Sequence, residues 1–141
     1  MRKILFRGKA INRDERYETR TKYKNGDWVY GLVSKLGSEK YGIPMEMTNT
    51  DGISGIDVDR KTVGQYTGLN KNGKKIFEGD IVNYNGSTHK VVFENRYYNA
   101  RFGIVVEEET WSFGVSVPPY LMEVIGNIHD NPELMGGEAH G

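Results

Sequence analysis

The chain has 141 residues, 37% of them hydrophobic and 27% charged, and its 19 basic and 19 acidic side chains cancel. That length suits one domain around one core, and the charge balance removes any global field that would steer the protein to nucleic acid or a membrane. The absence of cysteine excludes a disulfide framework and any thiolate metal site and fits a reducing compartment.

Read in chain order, Lys3 to Ile11 carries a short apolar run, and Tyr17, Thr19, Thr21 and Tyr23 then alternate with charged residues. Both segments predict strands. Asn25-Gly26 supplies a turn pair that tolerates positive φ, and Trp28-Val29-Tyr30-Gly31-Leu32-Val33 resumes a β-rich run, so the second and third segments predict a hairpin. Between Gly37 and Arg60 the pattern loosens, with five glycines or prolines among polar residues, and predicts a long loop that would hold any subdomain boundary. From Thr62 the alternation returns. Asn72-Gly73 and Asn85-Gly86 predict two further hairpins, the second joining Asp80–Tyr84 to Lys90–Phe93, and Glu78-Gly79-Asp80 predicts another turn. Phe102–Val106 and Trp111–Val117 read as strands, the latter stopped by Pro118-Pro119. Leu121–Ile128 reads as a last strand ended by Asn131-Pro132, and residues 136–141 have nothing to bury and predict a disordered tail. No segment shows a helical face over three turns. The expectation is an all-β, barrel-like or sandwich domain over residues 1–135, with N-terminal strands to residue 36, a loop-rich connection over 37–61 and a barrel-like core over 62–130.

Two stretches, Val63-Gly64-Gln65-Tyr66-Thr67-Gly68-Leu69 continuing through Asn72-Gly73 to Phe77-Glu78-Gly79-Asp80-Ile81-Val82, and Met122-Glu123-Val124-Ile125-Gly126-Asn127-Ile128-His129-Asp130-Asn131-Pro132-Glu133-Leu134, resemble the signature of the YopX family of phage and prophage proteins. The opening Phe6-Arg7-Gly8-Lys9-Ala10 is similar to the family's start, whereas Ser34 to Arg60 departs from its pattern. The resemblance implies a phage or prophage origin and an SH3-like barrel element around Gly79-Asp80-Ile81-Val82, and it offers no catalytic residues to carry over. On the residues alone, Gly64, Gly68, Gly73 and Gly79 serve turns or close backbone approach while Ile76, Ile81 and Val82 face inward.

Chemistry-bearing motifs are sparse. Gly68 to Lys75 approaches a phosphate-cradling loop, but Lys75 replaces the metal-binding hydroxyl and the following Ile76-Phe77 does not open a helix. Asn49-Thr50-Asp51-Gly52 lacks carboxylates at the first and last positions of a calcium loop, leaving Asp51, Asp57 and Asp59 as a weak cation cluster at best. His89, His129 and His140 have no ligand spacing, and Ser87, Ser112 and Ser116 have no nucleophile context. No catalytic residue, metal or cofactor is expected. Charge is nonetheless uneven: residues 1–24 carry nine bases against three acids, while from Phe102 onward seven acids stand with no Lys or Arg. With Lys71, Lys74 and Lys75 at a hairpin tip and Arg96 beside Tyr97 and Tyr98, this gives candidate nucleic-acid contacts of the kind small barrels use. Tyr17 and Tyr23 are further aromatics for that surface, although packing within the sheet is the commoner use of such tyrosines. The leading expectation is a small non-enzymatic interaction module in a bacterial host cytoplasm, binding a host or phage protein and open to self-association; the alternative is a weak nucleic-acid-binding module. The 20 or so consecutive apolar residues that a membrane helix needs are nowhere present.

Overall fold

A computed structural model describes residues 3–12, 23–96, 99–106, 109–113 and 118–135. Among these the only regular elements are ten strands and two short 3-10 turns, Pro119–Leu121 and Pro132–Met135, so the protein is mainly β. The chain divides into two compact units, and the division falls inside one strand, between Gln65 and Tyr66, rather than in the 37–60 segment.

The first unit holds β1 (Phe6–Ala10), β2 (Trp28–Lys35), β3 (Met45–Asn49) and β4 (Ile56–Lys71) as far as Gln65. Each strand is antiparallel to the next, and β1 also pairs with β4, so the four strands close into a ring. Closure depends on a slip in the β1–β4 register between Arg7, opposite Gly64, and Lys9, opposite Asp59. The Thr62 hydroxyl bridges this gap, accepting from the Lys9 amide at 2.8 Å and donating to the Asp59 carbonyl at 2.6 Å. A bulge of this kind bends a strand and strengthens its twist, which is what a ring of so few strands requires. Ala10, Val29, Met47, Ile56 and Val58 form the core inside, with Phe6, Tyr23, Val33, Met45 and Val63 against it.

The segment expected to be a long loop therefore contains β3 and the start of β4. Its alternation is real but short: Met47 and Asn49 turn inward on β3, as Ile56 and Val58 do on β4. Methionine and asparagine are weak strand signals. The intervening turn is held by the Asn49 side-chain carbonyl, which accepts from the amides of Asp51 at 3.0 Å and Ile53 at 2.9 Å. The strand expected around Tyr17 to Thr21 lies outside the described residues, as does the 136–141 tail.

The second unit begins at Tyr66 with the rest of β4. It adds β5 (Lys74–Phe77), β6 (Asp80–Tyr84), β7 (Ser87–Arg96), β8 (Asn99–Val106), β9 (Glu109–Ser112) and β10 (Met122–Asn127). β4 and β5 form the hairpin expected at Asn72-Gly73, and β6 and β7 the one at Asn85-Gly86. In both turns the Asn and the Gly have positive φ, 53° and 82° in the first and 55° and 82° in the second. That is the geometry of a two-residue turn that matches strand twist. β6 to β10 make an open antiparallel sheet in the order β10-β6-β7-β8-β9. Ile76, Val82, Val91, Ile104 and Met122 form its core. The barrel-like arrangement is thus partial: the closed ring of pairings belongs to β1–β4, and the strands around Gly79–Val82 form an open sheet. No helix among the described residues is long and apolar enough to cross a membrane.

Candidate functional site

The two signature stretches are spent largely on the backbone of the second unit. The Thr67 hydroxyl donates to the Ile76 carbonyl at 2.8 Å and accepts from the Leu69 amide at 3.2 Å, filling the slip between Tyr66 and Asn70 in the β4–β5 ladder. Asp80 is 2% exposed, and its carboxylate accepts from the Phe77 amide at 2.7 Å, closing the turn before β6. The two stretches then meet: Asp80 pairs with Asn127, and the Ile128 amide donates to the Gly79 carbonyl at 2.9 Å. The Asn127 side-chain carbonyl accepts from the amides of His129 and Asp130, at 3.0 and 2.9 Å, and its amide group donates to the Asp130 carboxylate. Asn131 packs directly over Gly126, where a Cβ would lie 2.6 Å from its Oδ1. These side chains hold turns and crossings, and binding must be sought elsewhere.

Of the expected nucleic-acid contacts, the structure brings three together. Lys71 and Lys74 are directly opposed as the last pair before the Asn72-Gly73 turn, and Lys75 follows opposite Asn70. Lys74 and Lys75 are exposed. The Lys75 ammonium lies 6.0 Å from the Tyr66 ring centroid, within the range of a cation–π contact. Arg96 ends β7, and its side chain lies outside the described residues, as do Tyr17, Tyr97 and Tyr98. Lys71, Asn72 and Lys74 of the hairpin line a groove of about 480 Å³ together with Glu123 and Val124 of β10. Glu123 carried no distinguishing mark in the sequence, since only the placement of β10 brings it to the same groove as the lysines.

Much of the basic N-terminal segment lies outside the described residues, and two of its cations within them, Arg7 and Lys9, are engaged with an aromatic ring. Arg7, 7% exposed, places its guanidinium 4.7 Å from the centroid of the Trp28 ring, and the Lys9 ammonium lies 5.3 Å from it. The Tyr23 hydroxyl accepts from the Asn49 side-chain amide at 3.1 Å, and the ring packs against the first core. The β-strand that holds Trp28 supplies a surface that no sequence motif marks. Val29, Gly31 and Val33 face the core, while Trp28, Tyr30 and Leu32 alternate with them on the outer side, where Tyr30 is 41% and Leu32 52% exposed. The signal was present as a strand apolar on both faces, which ordinarily marks cover on both sides.

The remaining motifs resolve simply. The near phosphate loop is two strands and a turn, with no helix opening after it. Among the described residues no group of three or more His, Cys, Asp or Glu is placed to hold a metal ion, so Asp51, Asp57 and Asp59 do not gather into the weak cation cluster. His89 lies 3.0 Å from the Val105 carbonyl through Nδ1, and since a carbonyl only accepts, Nδ1 carries the proton.

Comparison with curated proteins finds no match. The family model of the YopX protein matches residues 6–136, taking in both units and both signature stretches, and the chain belongs to that family.

Proposed function

We propose that this member of the YopX family is a non-enzymatic interaction module, phage- or prophage-encoded and working in the bacterial cytoplasm, that engages a host or phage protein through the outer face of β2. The observation that carries the reading is the Trp28, Tyr30 and Leu32 row: β2 is apolar on both sides, yet its outer side leaves Tyr30 and Leu32 about half exposed. Tryptophan and tyrosine, the types at Trp28 and Tyr30, are enriched at the energetic centres of protein interfaces. Arg7 and Lys9 stacked against Trp28 stiffen the row from one side. The test places a photo-crosslinking residue at Leu32 and, as a control, at Asn83 on the exposed side of β6. A discrete crosslinked partner from phage-infected cells at Leu32 alone supports the proposal, and equal labelling at both positions counts against it. Tyr30→Ser combined with Leu32→Ser should abolish the crosslinked band while lowering stability by about 1 kcal/mol, roughly 0.5 for each partly exposed side chain.

A second reading, weak nucleic-acid binding, is favoured by one observation. Lys71 and Lys74 are like charges directly opposed across a hairpin, an arrangement that costs stability, and among the described residues neither makes an ion pair. Phosphates would neutralise them. Fluorescence anisotropy with labelled single-stranded and duplex oligonucleotides should show micromolar binding that weakens as salt is raised.

A further inference from the structure

Resting on that second reading, the geometry points to the groove between the β4–β5 hairpin tip and β10 as a site for one nucleotide unit of a single strand, with Lys71 and Lys74 on the phosphate and Glu123 accepting from the exocyclic amine of the base. The charge pattern carries the inference. A groove built only to attract polyanions would be basic throughout, yet Glu123 lines the same cleft as the two lysines. A carboxylate there repels phosphate and lowers affinity for a simple polyanion. It is useful to a ligand that presents both an anion and a hydrogen-bond donor. A nucleotide does both, since its phosphate needs cations and the amine of cytosine is a donor that acidic side chains accept from. Val124 offers the base an apolar contact beside Glu123, and about 480 Å³ lies within the range of small-ligand sites, roughly 300–1,000 Å³. The hairpin tip is held by its own turn, and Glu123 is paired through β10 with Asn83 of β6, so both parts of the lining stand on paired strands.

The test compares labelled oligo-deoxycytidine with oligo-deoxyuridine of equal length, which differ in whether a donor or an acceptor occupies the base's 4-position. Wild-type protein should prefer the cytidine strand by about fivefold or more, the low end of what one base-edge contact discriminates. Glu123→Ala should erase the preference while retaining salt-sensitive binding of both strands. Lys71→Glu with Lys74→Glu should weaken both strands together. Equal binding of the two strands by the wild type, or a preference that survives in Glu123→Ala, overturns the inference and leaves the phosphate reading standing. Absence of salt-sensitive binding at low ionic strength, or binding indifferent to the double lysine reversal, overturns both. All three side chains lie outside the buried core, and circular dichroism of each variant separates lost binding from lost folding.

Discussion

At the scale of single residues, the signature positions act through geometry. Gly126 is needed because Asn131 and Leu134 occupy the space a side chain would take: a Cβ there would sit 2.6 Å from Asn131 Oδ1 and 2.9 Å from Leu134 Cδ1. Gly126→Ala should therefore cost about 1–3 kcal/mol through overpacking, read as a shift in the urea midpoint at constant slope. Asp80 poses a different case, since its carboxylate satisfies the amide of Phe77 inside the turn. Asp80→Ala should lose about 1–3 kcal/mol by leaving a buried donor without its acceptor, and Asp80→Asn should lose less because the amide oxygen can still accept. Equal losses in the two variants would show that the carboxylate's charge, rather than its acceptor, matters. Residue-level roles of this kind were only half legible: glycine and turn asparagine announce themselves in a sequence, but what crosses over Gly126 is decided by the fold of the following turn.

Elements follow local chemistry where turns are short. The β4–β5 hairpin forms where Asn72-Gly73 supplies two residues at positive φ, a conformation that costs an ordinary L-residue about 1–2 kcal/mol. Gly73→Ala should destabilise by about that amount, and, because nothing lies within 4 Å of the position a Cβ would take, the effect should be backbone strain alone. Urea unfolding gives the loss, and amide shifts confined to the hairpin in a nitrogen–proton spectrum identify its origin. β3 shows the opposite situation. The glycines and prolines scattered through residues 37–60 predict a loop there, yet β3 forms because β2 and β4 flank it and Met47 is fully buried in the first core. Tertiary pairing overrides propensity most easily in a strand already hydrogen-bonded on both sides.

For the whole molecule, the described residues divide their buried apolar side chains between two clusters, one in each unit. Met47 and Met122 are each fully buried, one in each unit. Truncation of either should cost about 2–5 kcal/mol. Hydrogen exchange should show where that loss first appears: Met47→Ala should accelerate exchange in β1, β2 and β3 before β6 to β8, and Met122→Ala should do the reverse. Simultaneous acceleration throughout the chain in both variants would mean that the cores unfold as one cooperative block. Length alone suggested a single core, because 141 residues suffice for one; only the pairing pattern reveals how the apolar residues are shared.

What the sequence determined by itself is local: the mainly-β class, the hairpins at Asn72-Gly73 and Asn85-Gly86, and the last strand before Asn131-Pro132. Period-two alternation and tolerance of positive φ are properties of a few consecutive residues and need no partner. Tertiary structure decided the rest. Ring closure joins Lys9 to Thr62 across 53 positions and turns on a bulge in β4; the groove depends on β10 bringing Glu123 into one lining with Lys71 and Lys74; and the partial exposure of Tyr30 and Leu32 depends on which face of β2 the ring turns inward. Each is a matter of register between distant segments, where a shift of one residue exchanges the faces of a strand, and that register is set by long-range pairing and core filling rather than by any local preference.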